Sequence, residues 1–579
     1  MNISKSLFLL PLLLVACTRT DPRDEKAVHL SLPARVKSLD PIQGNDLYSI
    51  IQSSYAYEPL LEYHYLKRPY ELIPRLAETM PQISGDKTTY TFHLRSGVRF
   101  ADDPAFPLEK GREITAKDFI FSWKRLADPK NAAAGWWLLD GKITGLNEWR
   151  ERAVKSGKAD YAEDISGLSA PDSRTLVVKL TKPNALFLYA IANLPTAVVA
   201  QEAVEKYGAE FGQHAVGTGP YRLTENGGGS KFVWDRNPTF RLTPYPSQGE
   251  PGDAEKGLLL DAGQPLPRND RIVTQVNEES LPAWLGFLAG KLDLSSIPKD
   301  SFGQAVPAGG QLSPELTKKG IHLLELPEMD LTRVSFNMAD PLLGKNKLLR
   351  QALSLAFDTG PLIKTFYNGQ AVPSMGPIPP GIPGYDPDLK NPYRDVNLEK
   401  AKTLLARAGY PNGKGLPPIE FVAVAGGTSR QLTDYIERQF APLGVKLKIE
   451  AFSWPEYTKR VMSKRGQMWS FGWIPFYPDA DNFLQLFYGK NAAPGPNDMN
   501  YVNSRFDSLY EKARSELDDK KRVTLYREMV KIVIEDTPCI FGVHRTDHYL
   551  AQPWLKNLKL HNFAMDQAKY LRVEGRALR

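Results

Sequence analysis

Between residues 397 and 536, helix-like and strand-like patterns take turns, and this alternation limits the fold more than any other feature of the chain. "NLEKAKTLLARAG" opens with Asn397, a helix-capping residue, sets Ala401, Leu404, Leu405 and Ala408 on one face, and stops at Gly409. "PIEFVAVAG" reads as a strand. "TSRQLTDYIERQFAPLG" reads as a helix ending at Gly444, and "VKLKIEAF" as a strand with Val445, Leu447 and Ile449 alternating. "WPEYTKRVMSKRG" starts another helix with Pro455 in its first turn. "KKRVTLYREMVKIVIED" places Val523, Tyr526, Val530 and Val533 in a stripe. Strands separated by helices cannot be joined by tight hairpins, so the segment predicts α/β organisation with parallel pairing.

Upstream, "AVHLSLP" begins a strand. In "SLDPIQGNDLYSIIQSSYAYEPLLEY" a turn at Asp40-Pro41 leads into a helix with Ile50, Ile51, Ser54 and Tyr55 on one face. "YTFHLRSGVRFADD" directs Tyr90, Phe92 and Leu94 inward from a strand. "ITAKDFIFSWKRLAD" is a helix capped at Thr115 with Asp118 at its third position; Phe119, Trp123 and Leu126 share its apolar face. "RTLVVKL" is a further strand, and the Pro- and Gly-rich stretch 243–270 reads as a long surface excursion rather than core.

The chain has 579 residues, room for two to four domains of roughly 100–200 residues each. Its net charge of +7 comes from Lys and Arg mixed throughout with Asp and Glu, so no stripe for nucleic acid is present. Lys5 precedes the apolar run 7–16 and then Cys17. That run is shorter than the roughly 20 residues needed to span a bilayer and reads as a secretory signal. "LVAC" looks like the lipobox of bacterial lipoproteins, which implies cleavage before Cys17 and lipidation of its sulfur; residues 17–26 then read as a polar tether. Cys539, the other cysteine, lies in the apolar run "TPCIFGV" and reads as a buried structural thiol.

Motifs for catalysis are missing from the sequence. HExxH, CxxC, GxSxG and the Walker A loop do not occur, and "GYPNGKG" (409–415) lacks the Walker spacing. "HRTDH" sets His544 and His548 four apart in a β-branched, aromatic stretch. On a strand the two rings stand roughly 13 Å apart, at about 3.3 Å per residue, too far to share a zinc ion. No catalytic residue, metal or cofactor is implied, and a binding protein is the better reading.

Several stretches in sequence order resemble the oligopeptide- and dipeptide-binding lipoproteins of ABC importers, the family-5 extracellular solute-binding proteins. They are "SLDPIQGNDLYSIIQSSYAYEPLLEY", "LIPRLAETM", "YTFHLRSGVRFADD", "ITAKDFIFSWKRL", "AVGTGPYRL", "NKLLRQALSLAFD" and "GWIPFYPDADNFLQLF". The resemblance implies a periplasmic-binding-protein-like α/β fold of the type II (cluster C) kind: two lobes on a hinge plus an inserted domain. The first lobe is expected from 27–62, 183–273 and 539–579, the insertion from 63–182, and the second lobe from 274–538. It also implies a lipid-anchored monomer in the cell envelope that hands a peptide or other small solute to a membrane permease and its ATPase. An extended peptide would be held between the lobes through main-chain hydrogen bonds.

On this resemblance 471–474 forms one edge of the cleft and 43–48 the other. The candidate ligand contacts are Asn45, Asp46, Leu47, Phe471, Gly472, Trp473, Ile474, Phe476 and Asp479. Gly472 permits close backbone approach, and Trp473 is either the wall of a side-chain pocket or core. Asp479 reads first as a carboxylate at a helix start. Peptide-binding members carry an aspartate three residues after the tryptophan, to pair with the α-ammonium; here that position is Phe476. Three outcomes stay open: Asp479, Asp481 or Asp46 takes the ammonium, the rings hold it by cation–π contact, or the ligand has no free amine, as in a blocked peptide, oligosaccharide or metal chelate.

Overall fold

The computed structural model describes residues 26–44, 46–307 and 310–576. The signal segment 1–16, Cys17, the tether up to residue 25 and Asn45 lie outside the described residues. No helix among the described residues is long and apolar enough to cross a membrane.

The alternating segment builds one mixed sheet in the order Leu447–Phe452, Ile419–Val424, Met468–Trp473, Leu331–Phe336, Cys539–Phe541. Ile419–Val424 runs parallel to both of its neighbours, as helix-linked strands must. The strand Met468–Trp473 then turns antiparallel to Leu331–Phe336. The helix Leu398–Arg407 takes its cap from Asn397, whose side chain accepts from the Lys400 N–H, and buries Ala401, Leu404 and Leu405. Gly409 follows at φ +100°, a left-handed conformation that suits glycine. Cys539 is buried at the sheet's edge, and burial pushes its thiol up to about 12.

A second sheet orders Val28–Leu32, Arg271–Val276, Lys231–Arg236 and Tyr221–Asn226, with the first pair parallel. Antiparallel strands Gln82–Ile83, Thr89–His93, Thr175–Lys179 and Leu168–Ser169 form a third sheet within the segment expected as an insertion. Tyr90, Phe92 and Leu94 face its core together with Phe119, Trp123 and Leu126. The helix Ala116–Ala127 starts as expected: the Thr115 N–H donates to the Asp118 carboxylate at 2.7 Å.

A fourth sheet joins the long strand Val543–Ala551 to Leu294–Ser296, Ala371–Pro373 and His322–Pro327. His544 and His548 lie on this strand, as the β-branched pattern indicates, and His544 Nδ1 is bonded to the Asp330 carbonyl at 2.5 Å. Pairing therefore crosses the expected lobe edges at several places. Cys539–Phe541 joins the 331–473 sheet, and 294–327 joins the 543–551 strand. Two segments pass side by side between these sheets: 328–330 leads out of His322–Pro327, and Gly542 leads into Val543–Ala551. They are laced together: the Gly542 N–H donates to the Thr332 carbonyl at 2.8 Å and the Glu328 N–H to the Arg545 carbonyl at 2.8 Å.

One expectation is corrected. The helix near residue 50 spans Leu47–Ser53 and buries the polar residues Ser49, Gln52 and Ser53, while Ile50 and Ile51 are half-buried and Ser54 and Tyr55 fall beyond its end. Gln52 accounts for this: its Oε1 accepts the Trp234 indole N–H at 2.8 Å and its Nε2 donates to Thr274 Oγ1 at 3.3 Å. The 243–270 stretch runs mostly along the surface, as expected, and a few of its residues anchor it. Tyr245 is buried edge-on to Tyr65 and Tyr570. Lys559 reaches Glu250 at 2.6 Å and Asp253 at 2.8 Å. Turn-rich composition hides such anchors, because the partners are far away in sequence.

Candidate functional site

The strand Met468–Trp473 has unequal neighbours. On one side its pairing with Leu331–Phe336 continues to Trp473; on the other, the pairing with Ile419–Val424 ends at Trp469. Residues 470–473 therefore extend past their neighbour and offer a strand edge. Exposed Gly472 leaves the space above it bare, since a Cβ there would meet nothing within 4 Å. An extended chain could approach here and satisfy its own backbone groups.

Rings flank this edge. Phe471 stacks on Tyr457 with centroids 6.2 Å apart, and the Tyr457 hydroxyl donates to the Ser470 carbonyl at 2.6 Å. Trp473 is half-buried. Its indole N–H donates to Asn482 Oδ1 at 2.9 Å, so one edge is tied to the core and the other faces Phe476, 6.0 Å away. Ile474 is 57% exposed and Phe476 42% exposed. The short turn Ala134–Leu138 then brings Trp137 to 5.2 Å from Phe476 and 6.4 Å from Tyr477, and Tyr189 stacks on Tyr477 at 5.9 Å. Nothing in the local sequence of Trp137 and Tyr189 marks them as neighbours of this edge. The doubled tryptophan of "GWWLLD", in a turn-like stretch with glycine before it, sets the first apart without naming its partner.

The acidic candidates do not reach this surface. Asp479 is only 1% exposed; its carboxylate accepts from the Tyr526 hydroxyl (2.6 Å), Arg522 Nη2 (3.2 Å) and the Asp481 N–H (2.9 Å). Burial raises its pKa, against the pull of Arg522 and Tyr526. The expectation of Asp479 as a ligand contact is thus corrected, while its place at a helix start is seen just before Asp481–Leu484. Asp481 is buried too, and its Oδ2 accepts the Tyr477 hydroxyl at 2.7 Å. Behind it sits Lys142, whose ammonium donates to the Trp137 carbonyl at 2.8 Å. Burial, then the nearby Arg514 charge, lowers the Lys142 pKa to about 8, while Asp481 opposes the shift.

On the expected opposite edge, Asp46 is occupied as a cap. It accepts from the Tyr48 and Ser49 N–H groups and from the Ser49 hydroxyl at 2.7 Å. Leu47 is 46% exposed.

Residues 71–495 match the model of the bacterial extracellular solute-binding proteins, family 5, middle region. The chain belongs to this family. Its members are binding proteins rather than enzymes. The family 5 protein described here is 28% identical to the dipeptide-binding protein of Escherichia coli K12 over 486 residues, 82% of this chain and 81% of the relative. It is 26% identical over 533 residues to heme-binding protein A of Haemophilus influenzae, covering 90% and 88% of the two chains. Its fold superposes with a TM-score of 0.72 on the ABC transporter-associated periplasmic binding protein DppA from Helicobacter pylori in complex with the peptide STSA. The identity there is 24%, over 95% of this chain and 98% of the other. The type II fold expected from the resemblance is thus the one observed.

Proposed function

We propose that this family 5 protein is the binding component of an ABC importer, capturing extended peptides at the 470–473 edge and delivering them to a permease. The observation that carries the reading is that edge: a strand running past its neighbour, bare at Gly472, with Phe471 and Trp473 set beside it. Main-chain pairing gives affinity without dependence on side-chain identity, which is what a carrier of many peptides needs. Leu47, Phe471, Gly472, Trp473, Ile474 and Phe476 are the contacts proposed from the described residues, with Asn45 proposed from the resemblance. The lobes are taken to close about the 328–330 and 542 crossings. The protein acts as a monomer without catalysis, lipid-anchored through Cys17 at the cell envelope.

The test is thermal-shift and calorimetric screening against peptide pools. A ligand at a hundredfold excess over its Kd stabilises by about 2.7 kcal/mol, readily seen as a rise in Tm. Stabilisation by oligosaccharides or metal chelates and by no peptide overturns the peptide assignment. Cleaved peptide in the intact-mass spectrum after incubation overturns the non-catalytic one.

A further inference from the structure

Resting on the peptide reading above, we propose that the Phe476 end of the cleft receives an uncharged, apolar or aromatic group, and that the preferred peptides are those whose amino end is capped rather than free. The rings gathered at this end come from distant parts of the chain: Trp137 and Trp473 contact Phe476, and Tyr189 stacks on the buried Tyr477 beside them. Phe476 and Ile474 present apolar surface to solvent that an apolar group would cover with gain.

An ammonium arriving here needs a carboxylate, and those around the rings are engaged internally, Asp481 through one oxygen only. Asp479 is held by Tyr526 and Arg522. Asp46 caps its helix, and Asp140 accepts from Asn147 Nδ2 at 2.7 Å. Asp481 has a buried Oδ1 without a hydrogen bond, but its Oδ2 is taken by the Tyr477 hydroxyl and the carboxylate already interacts with the charges of Lys142 and Arg514. Those two cations make the region behind the rings unfavourable for a further positive charge. A ring face returns only a fraction of what burying an unpaired ammonium costs. An acylated nitrogen carries no charge, adds apolar surface, and keeps one N–H for the strand edge.

The test compares matched pools of three- to five-residue peptides, free and N-acetylated, by native mass spectrometry and thermal shift on the full mature chain. The expected result is at least tenfold stronger binding of the acetylated pool. Equal binding, or preference for the free amine, overturns this inference while leaving the peptide reading intact. Binding of neither pool overturns the peptide reading and this inference with it. Phe476→Asp, at an exposed position, is expected to fold normally and to shift the preference toward the free-amine pool. An unchanged preference in a folded F476D protein overturns the assignment of this end to Phe476.

Discussion

Trp473 donates its indole N–H to Asn482 Oδ1 at 2.9 Å, and this bond fixes the last residue of the strand Met468–Trp473 to the buried helix Asp481–Leu484. Asn482 is fully buried, and its Nδ2 finds no acceptor among the described residues, so the bond to Trp473 is what holds the amide in place. Trp473→Phe keeps a ring but strands a second polar atom. The expected cost is about 1–3 kcal/mol of stability in urea melts, with weaker ligand binding. A melt unchanged by the substitution would show that water replaces the indole without loss.

Glu58 lies at the centre of a buried ion cluster. Arg75 Nε reaches it at 2.9 Å, Arg241 Nη1 at 2.8 Å and the Thr218 hydroxyl at 2.8 Å. Burial alone would raise this carboxyl, but Arg241 and Arg75 outweigh it and hold the pKa at about 2. A depressed acid stabilises above its unfolded value of about 4.5, and that stability is lost as pH falls through about 2. Glu58→Gln leaves two guanidinium groups facing an amide, and a loss of about 3–5 kcal/mol at neutral pH is expected. The difference from the native protein should shrink on acidification, which thermal melts between pH 7 and pH 2.5 would measure.

How much of this was legible depends on how local each cause is. The Asn397 cap, the Gly409 stop and the inward Tyr90–Phe92–Leu94 pattern are set by neighbours in sequence, and the structure repeats them. The edge at 471–474 follows from its place in a family motif; the strand ends at Trp473, and its unpaired side follows from the early end of the 419–424 pairing. What stayed hidden is non-local. Nothing beside Gln52 announces that Trp234 and Thr274 will meet it, and nothing beside Trp137 announces Phe476. On the resemblance Asp479 and Asp481 are open as ammonium partners, yet both carboxylates accept from partners inside the fold: Tyr526 and Arg522 far along the chain, and Tyr477.

Two glycines separate packing from access. A Cβ on Gly217, in "AVGTGPYRL", would sit 2.0 Å from the Ala56 carbonyl oxygen, a backbone atom with no rotamer to escape into. A Cβ on Gly472 would meet nothing within 4 Å. Gly217→Ala should therefore cost about 3 kcal/mol or more, while Gly472→Ala should stay within about 0.5 kcal/mol of the native stability. The order reverses for ligand: G472A places a methyl on the surface a bound backbone would approach, and calorimetry should show weaker binding with an unchanged melt. Undiminished affinity in G472A would move the ligand away from this edge.

At the crossing between the sheets, Glu328 carries the opposite shift. Burial and then the Asp547 carboxylate raise its pKa to about 7, Asp330 adds to the rise, and Arg545 works against it. Arg545 is itself committed to Asp330, through its Nε at 2.5 Å. The sign is that of a raised acid: the proton is held by the folded form, so the associated stability is complete below about 4.5 and disappears as pH rises through about 7. Above that pH two carboxylates face each other where the chain passes between sheets. Glu328→Gln mimics the protonated group at every pH. It should match the native protein near pH 4.5 and exceed its stability by about 2 kcal/mol at pH 8, a value reduced for the partial exposure of the side chain. Melts of both proteins across this range decide it: parallel curves would mean that Arg545 compensates the pair, and a gap that opens with pH would place an ionisable contact at the point where the lobes are proposed to move.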